Sequence, residues 1–93
     1  MIVSYACPNT EALDQDGLCH RRWRSIEAQA CRKLDMLNAA RRVQDLVAPP
    51  GNRLKKLAGG RAGQWSIRIN DQWRICFRWD GEGPEDVEIV DYH

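Results

Sequence analysis

The sequence has no long hydrophobic run and no closely spaced pair of cysteines. No apolar stretch approaches the ~18 residues that a membrane helix needs, and the first five residues lack the basic and long apolar regions of a signal peptide. We therefore expect a cytoplasmic protein that does not contact a membrane. The four cysteines, Cys7, Cys19, Cys31 and Cys76, match no standard zinc-ligand spacing. We expect reduced thiols and no metal or other cofactor.

Length and charge further limit the domain organisation and the kinds of binding site that the sequence allows. The 93 residues suffice for one hydrophobic core, which predicts a single domain spanning residues 1–93. A hydrophobic fraction of 43% and four tryptophans favour a folded chain over a disordered one. The net charge of +1 hides an uneven distribution, because residues 1–48 carry +1, residues 49–79 carry +6 and residues 80–93 carry −6. This division favours a local anion-binding site over a surface that coats nucleic acid generally.

Residues 63–79 have the clearest pattern in the chain, that of a β-hairpin with two different faces. Large apolar residues alternate with other residues on both sides of a polar Asn-Asp-Gln turn. The apolar face consists of Trp65, Ile67, Ile69, Trp73, Ile75, Phe77 and Trp79. The opposite side, here called the polar face, carries Ser66, Arg68, Arg74, Cys76 and Arg78. Its arginines could bind an anion, or they could be an ordinary solvated surface.

The sequence before the hairpin is mainly helical in pattern. Residues 2–5 favour a short strand, and residues 8–13 favour a helix with Asn9 or Thr10 as N-cap. Between residues 23 and 42, apolar residues recur every three or four positions, which predicts a longer amphipathic helix.

The later segments favour strands joined by tight connections. Two prolines and a glycine within residues 49–52 end the helical half. Residues 53–57 are compatible with an edge strand, residues 59–63 form a glycine-rich loop, and residues 85–90 form a last strand. Hairpin-type connections imply an antiparallel sheet with the helices packed on one face, an α+β fold.

Two stretches of sequence carry a family resemblance when they are taken together. The first runs from residue 49 to residue 77 and contains Trp73-Arg74-Ile75, and the second is the tail from residue 87 to residue 93. The chain closely resembles the HigB toxins of the RelE superfamily of bacterial type II toxin–antitoxin systems. The resemblance implies two N-terminal helices packed on a small twisted antiparallel sheet, the RelE-like fold.

The resemblance also implies a function and partners. HigB toxins are ribosome-dependent endoribonucleases that cleave translated mRNA in the A site without a metal, which inhibits translation and growth. The implied partners are a HigA-type helix-turn-helix antitoxin, the ribosome and its mRNA, and operator DNA reached through the antitoxin complex. The alternative is a non-catalytic module that binds nucleic acid or a partner and acts mainly as a corepressor with its antitoxin.

The residues make chemical sense of RNA cleavage by a neighbouring 2′-hydroxyl. His93 can give or take a proton near neutrality, and Asp91 could orient it or act on the hydroxyl itself. Arg74 can clamp a phosphate through its planar fork, and Tyr92 can stack on a base or donate to phosphate. The predicted catalytic residues are His93, Asp91, Tyr92 and Arg74, and the predicted RNA- and phosphate-binding residues are Lys55, Lys56, Arg61, Arg68 and Arg78.

One position departs from the family pattern. Some HigB relatives have an active-site histidine where this chain has Lys55, which offers a cation but no proton acceptor near pH 7 unless its pKa is strongly lowered. Either Lys55 acts electrostatically while His93 and Asp91 share the acid–base work, or the chemistry is weaker than in those relatives. In both cases we expect the acidic last strand to lie beside the hairpin and bring the tail near Arg74.

Overall fold

The chain folds into a four-stranded antiparallel sheet with its helices packed on one face. The computed structural model describes residues 1–92. The helices and strands are α1 (Pro8–Asp16), α2 (Glu27–Ala39), β1 (Lys55–Lys56), β2 (Trp65–Arg68), β3 (Trp73–Arg78) and β4 (Glu85–Asp91). The strands lie in the order β1-β2-β3-β4. The predicted α+β architecture is confirmed. No helix within residues 1–92 is long and apolar enough to span a membrane.

The predicted hairpin forms the centre of the sheet. Strands β2 and β3 pair antiparallel, with Ile67 opposite Ile75 and Ser66 opposite Cys76. The turn is held by the Asn70 side chain, whose Oδ1 accepts hydrogen bonds of 2.8 Å from the backbone N–H groups of both Gln72 and Trp73. A short polar side chain that bonds the following backbone in this way is typical of tight turns.

The apolar face of the hairpin and the helical stripe meet in one core. The stripe residues Trp23, Ile26, Ala30, Leu34, Leu37 and Ala40 are all buried, as the periodicity predicted. Ile67, Ile75 and Phe77 face them from the sheet and have no exposed surface. Full burial of one such large side chain stabilises the fold by ~1.5–3 kcal/mol, so this contact fixes which face of the sheet remains available for a site.

The N-terminal segment differs from the prediction in two respects. Residues 2–5 do not form a strand, since only Tyr5 makes a bridge, parallel to Val87 of β4. The N-cap prediction is also wrong, because Cys7 caps α1 and Pro8 follows it at the first helical turn, where the missing N–H of proline costs no hydrogen bond. Thr10 instead lies buried inside the helix, and its Oγ1 accepts from Ile89 N at 3.1 Å.

The long helix begins later than predicted. Residues Arg21–Ile26 form a 3₁₀-helix, and α2 starts only at Glu27 and ends at Ala39. Trp23 and Ile26 are both buried and are three residues apart, a spacing that places both on one side of a 3₁₀-helix with three residues per turn.

The predicted edge strand at residues 53–57 is shorter in the structure, where only Lys55 and Lys56 pair with β2. Arg53 cannot extend it because its backbone is left-handed, with φ 44° and ψ 55°. The predicted last strand is one residue longer and ends at Asp91. As a result β4 carries the tail to the open end of β3, where Tyr92 N donates to Gln72 O at 2.6 Å.

Candidate functional site

The candidate site lies on the polar face of the sheet, opposite the helices. This face is not an ordinary solvated surface, because Ser66 and Cys76 are fully buried and Arg74 is only 8% exposed. Burial also raises the pKa of the Cys76 thiol, which disfavours the reactive thiolate. The arginine at the centre of the face, rather than the thiol, is therefore the candidate functional group.

Arg74 is held by hydrogen bonds to two residues, Ser66 and Arg53. Its Nε donates to Ser66 Oγ at 2.8 Å, and its Nη2 donates to the backbone carbonyl of Arg53 at 2.8 Å and, at a longer distance of 3.5 Å, to that of Ser66. Within residues 1–92 no salt bridge joins Arg74 to a carboxylate. Burial lowers the pKa of the Arg74 guanidinium, which shows that this charge is held at an energetic cost. A buried cation without a protein anion is the arrangement expected of an anion-binding site.

The sheet register adds to the positive charge around Arg74. Arg68 lies directly opposite it across β2 and β3, and two like charges at opposite positions destabilise a sheet. Arg68 has a partner in Asp71, but that carboxylate is fully exposed, so solvent weakens its compensating effect. An anionic ligand over Arg74 would relieve this repulsion.

Tyr92 stands over Arg74 and beside Lys55. The Arg74 guanidinium carbon lies 5.3 Å from the centre of the Tyr92 ring, and Lys55 Nζ lies 5.9 Å from it. Lys55 Nζ also donates to the Tyr92 hydroxyl at 3.4 Å. Cations within about 6 Å of an aromatic ring are attracted by its electron-rich face. The structure thus brings together three predicted site residues from β1, β3 and the tail.

Asp91 lies in a different direction from these three residues. It pairs across the sheet with Trp73, and successive residues of a strand point to opposite faces, so Asp91 shares the face of Trp73 while Tyr92 shares that of Arg74. The Asp91 carboxylate accepts a hydrogen bond of 3.1 Å from Gln72 Nε2. His93 lies outside the described residues, so its predicted role stays a prediction.

A basic cleft of about 400 Å³ opens beside Tyr92 and is here called the cleft. It is lined by residues 55–58, Gly60, Arg61 and Tyr92. Among the lining residues, Lys56 has its Nζ 5.6 Å from the centre of the Trp65 ring. Half-open spaces with aromatic walls and cationic rims suit a flat anionic ligand such as an unpaired nucleotide.

The acidic last strand neutralises two of the predicted binding cations, as the charge distribution led us to expect, and a third, Arg68, pairs with Asp71 of the hairpin turn. Arg61 Nη2 lies 3.0 Å from Glu88 Oε1, and its Nη1 donates to Gln64 Oε1 at 3.0 Å. Arg78 Nε lies 3.7 Å from Asp86 Oδ2. These pairs leave Lys55, Lys56 and Arg74 as the predicted site cations without a carboxylate partner among residues 1–92.

Two contributors to the site escaped sequence reasoning. The sequence pattern predicts that Ser66 lies on the polar face but gives it no function. Its place on the same face as Arg74 is the signal that could have indicated a contact between them. Nothing in the sequence predicted the role of the Arg53 carbonyl. Its backbone is left-handed, which is uncommon for a residue other than glycine and is not indicated by the residue type. The cysteines are all unpaired, and no group of three His, Cys, Asp or Glu within residues 1–92 could hold a metal ion.

Two solved structures share this architecture. The chain is similar to the YoeB-YefM complex from Staphylococcus aureus, with a TM-score of 0.61 and 16% identity over 100% of this chain and 95% of that chain. It is also similar to the YoeB/ParE toxin from Agrobacterium tumefaciens, with a TM-score of 0.50 and 22% identity over 99% and 96% of the two chains. At such low identity these likenesses establish the fold alone, which is the fold of RelE-superfamily toxins.

Sequence comparison gives the family. A model described as HigB-like toxin, the RelE-like toxin of the type II toxin-antitoxin system HigB, matches residues 10–93. Toxin HigB-1 from Vibrio cholerae is 49% identical over 55 residues, which are 59% of this chain and 58% of that protein. An uncharacterized protein of Haemophilus influenzae is 39% identical over 49 residues, 53% of this chain and 48% of that protein. The chain therefore spans about half the length of the curated relatives it matches. It belongs to the HigB-like toxins of type II toxin–antitoxin systems.

Proposed function

We propose that this protein is a ribosome-dependent endoribonuclease that cleaves translated mRNA in the A site without a metal ion, and so inhibits translation and growth. The observation that carries the proposal is Arg74, a buried guanidinium with no carboxylate partner among the described residues, beneath Tyr92 and beside a basic cleft. Membership of the HigB-like toxins supports the same activity.

The proposed reaction uses the RNA as its own nucleophile. The 2′-hydroxyl attacks the neighbouring phosphorus, the bond from phosphorus to the 5′-oxygen breaks, and a 2′,3′-cyclic phosphate and a 5′-hydroxyl result. Negative charge grows on the phosphate oxygens in the pentacovalent transition state, where a fixed guanidinium is most effective. Because Ser66 and Arg53 already orient Arg74, little reorganisation is needed when the RNA arrives.

Tyr92 and Lys55 complete the binding of the substrate in this proposal. The Tyr92 ring stacks on an unpaired base at the mouth of the cleft, a contact worth ~1–3 kcal/mol per base. Lys55 supplies a second positive charge at the same phosphate, which matches its position against the Tyr92 hydroxyl. The cations Lys56, Arg61, Arg68 and Arg78 contribute attraction for the flanking backbone, and their effect falls as salt rises.

The tail supplies the proton transfers. His93 takes the proton of the 2′-hydroxyl and then gives it to the departing 5′-oxygen, since imidazole is suited to both near neutral pH. Asp91 acts on the imidazole rather than on the RNA. Lys55 in place of a histidine leaves His93 as the principal acid–base group.

We also propose a HigA-type helix-turn-helix antitoxin as the inhibitory partner. The family to which the chain belongs is one of toxin–antitoxin pairs, and one structure of similar fold is described as a complex, the YoeB-YefM complex. Operator DNA is then reached through the antitoxin. A target on translating ribosomes places the protein in the cytoplasm.

The test is induction of the toxin in growing cells, with mRNA 5′ ends mapped on translated messages. Arg74→Ala and deletion of His93 should each abolish growth inhibition and the new 5′ ends while antitoxin binding persists. Arg42→Ala is the matched control, because Arg42 is a largely exposed arginine paired with Asp45 on the helical side, and it should remain fully toxic. Full toxicity of both site variants would refute the catalytic assignment and favour a binding role.

A further inference from the structure

Asn52 is a fully buried polar side chain near the site, and neither its sequence motif nor the proposed reaction gives it a role. It has no exposed surface. Its Nδ2 donates to the backbone carbonyls of Leu46 at 3.2 Å and Ala48 at 3.3 Å, and its Oδ1 accepts from Lys33 Nζ at 2.5 Å. One amide therefore ties α2 and the 3₁₀-helix Val43–Val47 to the segment that leads into β1.

The residue after Asn52 is the one whose carbonyl holds Arg74. Arg53 adopts left-handed backbone angles, which are unfavourable for a residue with a Cβ atom. Such a conformation persists only when the surrounding contacts determine it. The contacts available are the turn bonds from Asn52 N to Pro49 O and from Arg53 N to Pro50 O, at 2.9 Å and 3.1 Å, together with the Asn52 side chain.

We propose that Asn52 is a positioning residue, which fixes the Arg53 carbonyl and through it the direction of the Arg74 guanidinium. This inference rests on the proposed function, in which Arg74 clamps the scissile phosphate. The guanidinium plane is set mainly by two short anchors of 2.8 Å, Ser66 Oγ and Arg53 O, because the remaining bond, from Nη2 to Ser66 O, is long at 3.5 Å. When the second anchor moves, Arg74 keeps its charge but can rotate about the bond to its first anchor.

The chemistry of the amide explains why asparagine suits this position. A buried polar side chain must have its hydrogen bonds satisfied, and Asn52 satisfies two donated bonds and one accepted bond at once. Aspartate has the same shape but cannot donate, and alanine can do neither. Loss of Asn52 should therefore misalign the Arg74 guanidinium. A displacement of about 1 Å of a catalytic group can lower the reaction rate ~10²-fold.

The experiment measures single-turnover cleavage of ribosome-bound mRNA at saturating toxin, together with the NMR signal of the Arg74 Nε–H. The variants are Asn52→Ala and Asn52→Asp, the second of which retains volume and the contact with Lys33. Asn38→Ala is the matched control, because Asn38 also bridges elements through its amide, to Asp14 and Ile2, but has no bond to the site. Thermal denaturation records the stability of each variant.

Both Asn52 variants should cleave ~10–100-fold more slowly at saturation, with a shifted and more rapidly exchanging Arg74 Nε–H. Asn38→Ala should stay within about threefold of the original rate even where it loses as much stability. The inference is overturned if Asn52→Asp cleaves as fast as the control, or if its rate falls while the Arg74 signal is unchanged. If Arg74→Ala itself leaves cleavage intact, the proposed function fails instead, and the Arg74 signal still reports whether Asn52 sets its geometry.

Discussion

Replacing Arg74 by methionine should slow RNA cleavage strongly while leaving the fold about as stable as before. The change removes the two short hydrogen bonds of a charged donor, to Ser66 Oγ and Arg53 O, each worth ~1.5–3 kcal/mol, and the longer and weaker bond to Ser66 O. It also removes a buried ion, and the effective penalty for burying one is several kcal/mol. Because these opposing terms are similar in size, we expect the free energy of unfolding to change by no more than about 1.5 kcal/mol. Methionine is flexible enough to fill the space beneath Tyr92.

Urea denaturation measures the first part of this prediction and a cleavage assay the second. The denaturation midpoint should move little and its slope should not change. The cleavage rate should fall ~10²–10³-fold, the usual cost of removing one preorganised group that stabilises transition-state charge. Arg42→Met is the control, since Arg42 is largely exposed, pairs with Asp45 and has no role in the proposed site, and it should cleave at about the original rate.

Two results would refute the reasoning. A loss of more than about 3 kcal/mol of unfolding free energy would be typical of breaking a buried charge network, and would mean that Arg74 serves the fold rather than holding a site for an anion. Cleavage within tenfold of the original would mean that the buried charge does not act on the phosphate. The two measurements thus test separately whether Arg74 stabilises the fold and whether it acts in cleavage.

Two further predictions concern the N-terminal segment. Burial and the hydrogen bond to Asp14 raise the pKa of Tyr5 to about 12, so the folded state keeps a proton that the unfolded chain loses above its ordinary pKa of ~10. The free energy of unfolding should therefore fall between about pH 10 and pH 12, and Tyr5→Phe should flatten that fall in urea titrations, whereas an unchanged slope would contradict the assignment. A Cβ at Gly83 would collide with the Met1 carbonyl oxygen, while a Cβ at Gly81 would meet open space. Gly83→Ala should thus cost ~1–3 kcal/mol in thermal or urea unfolding and Gly81→Ala much less, and equal stabilities would count against this packing.

Much of the fold could be predicted because its signals are local. Alternation over residues 63–79 fixed the hairpin and its two faces, since side chains alternate strictly along a strand. The three-to-four spacing from Trp23 to Ala40 marked the buried helical stripe for the same kind of reason. Two of the predictions that failed are the N-cap of α1 and the start of α2. The N-cap position of Cys7 and the 3₁₀-helix Arg21–Ile26 depend on the conformation of the neighbouring backbone, which the apolar pattern does not describe.

By itself, the sequence determined that Arg74 lies on the polar face and that a basic segment precedes an acidic one. Only the tertiary structure decided which cations keep their charge uncompensated, because Arg61 meets Glu88 through contacts between residues far apart in the chain. The same holds for Arg74. Its guanidinium bonds to the Arg53 carbonyl, and the left-handed backbone of Arg53 could not be predicted from the type of residue. Periodicity assigns a side chain to a face, but burial and pairing arise only when distant segments pack together.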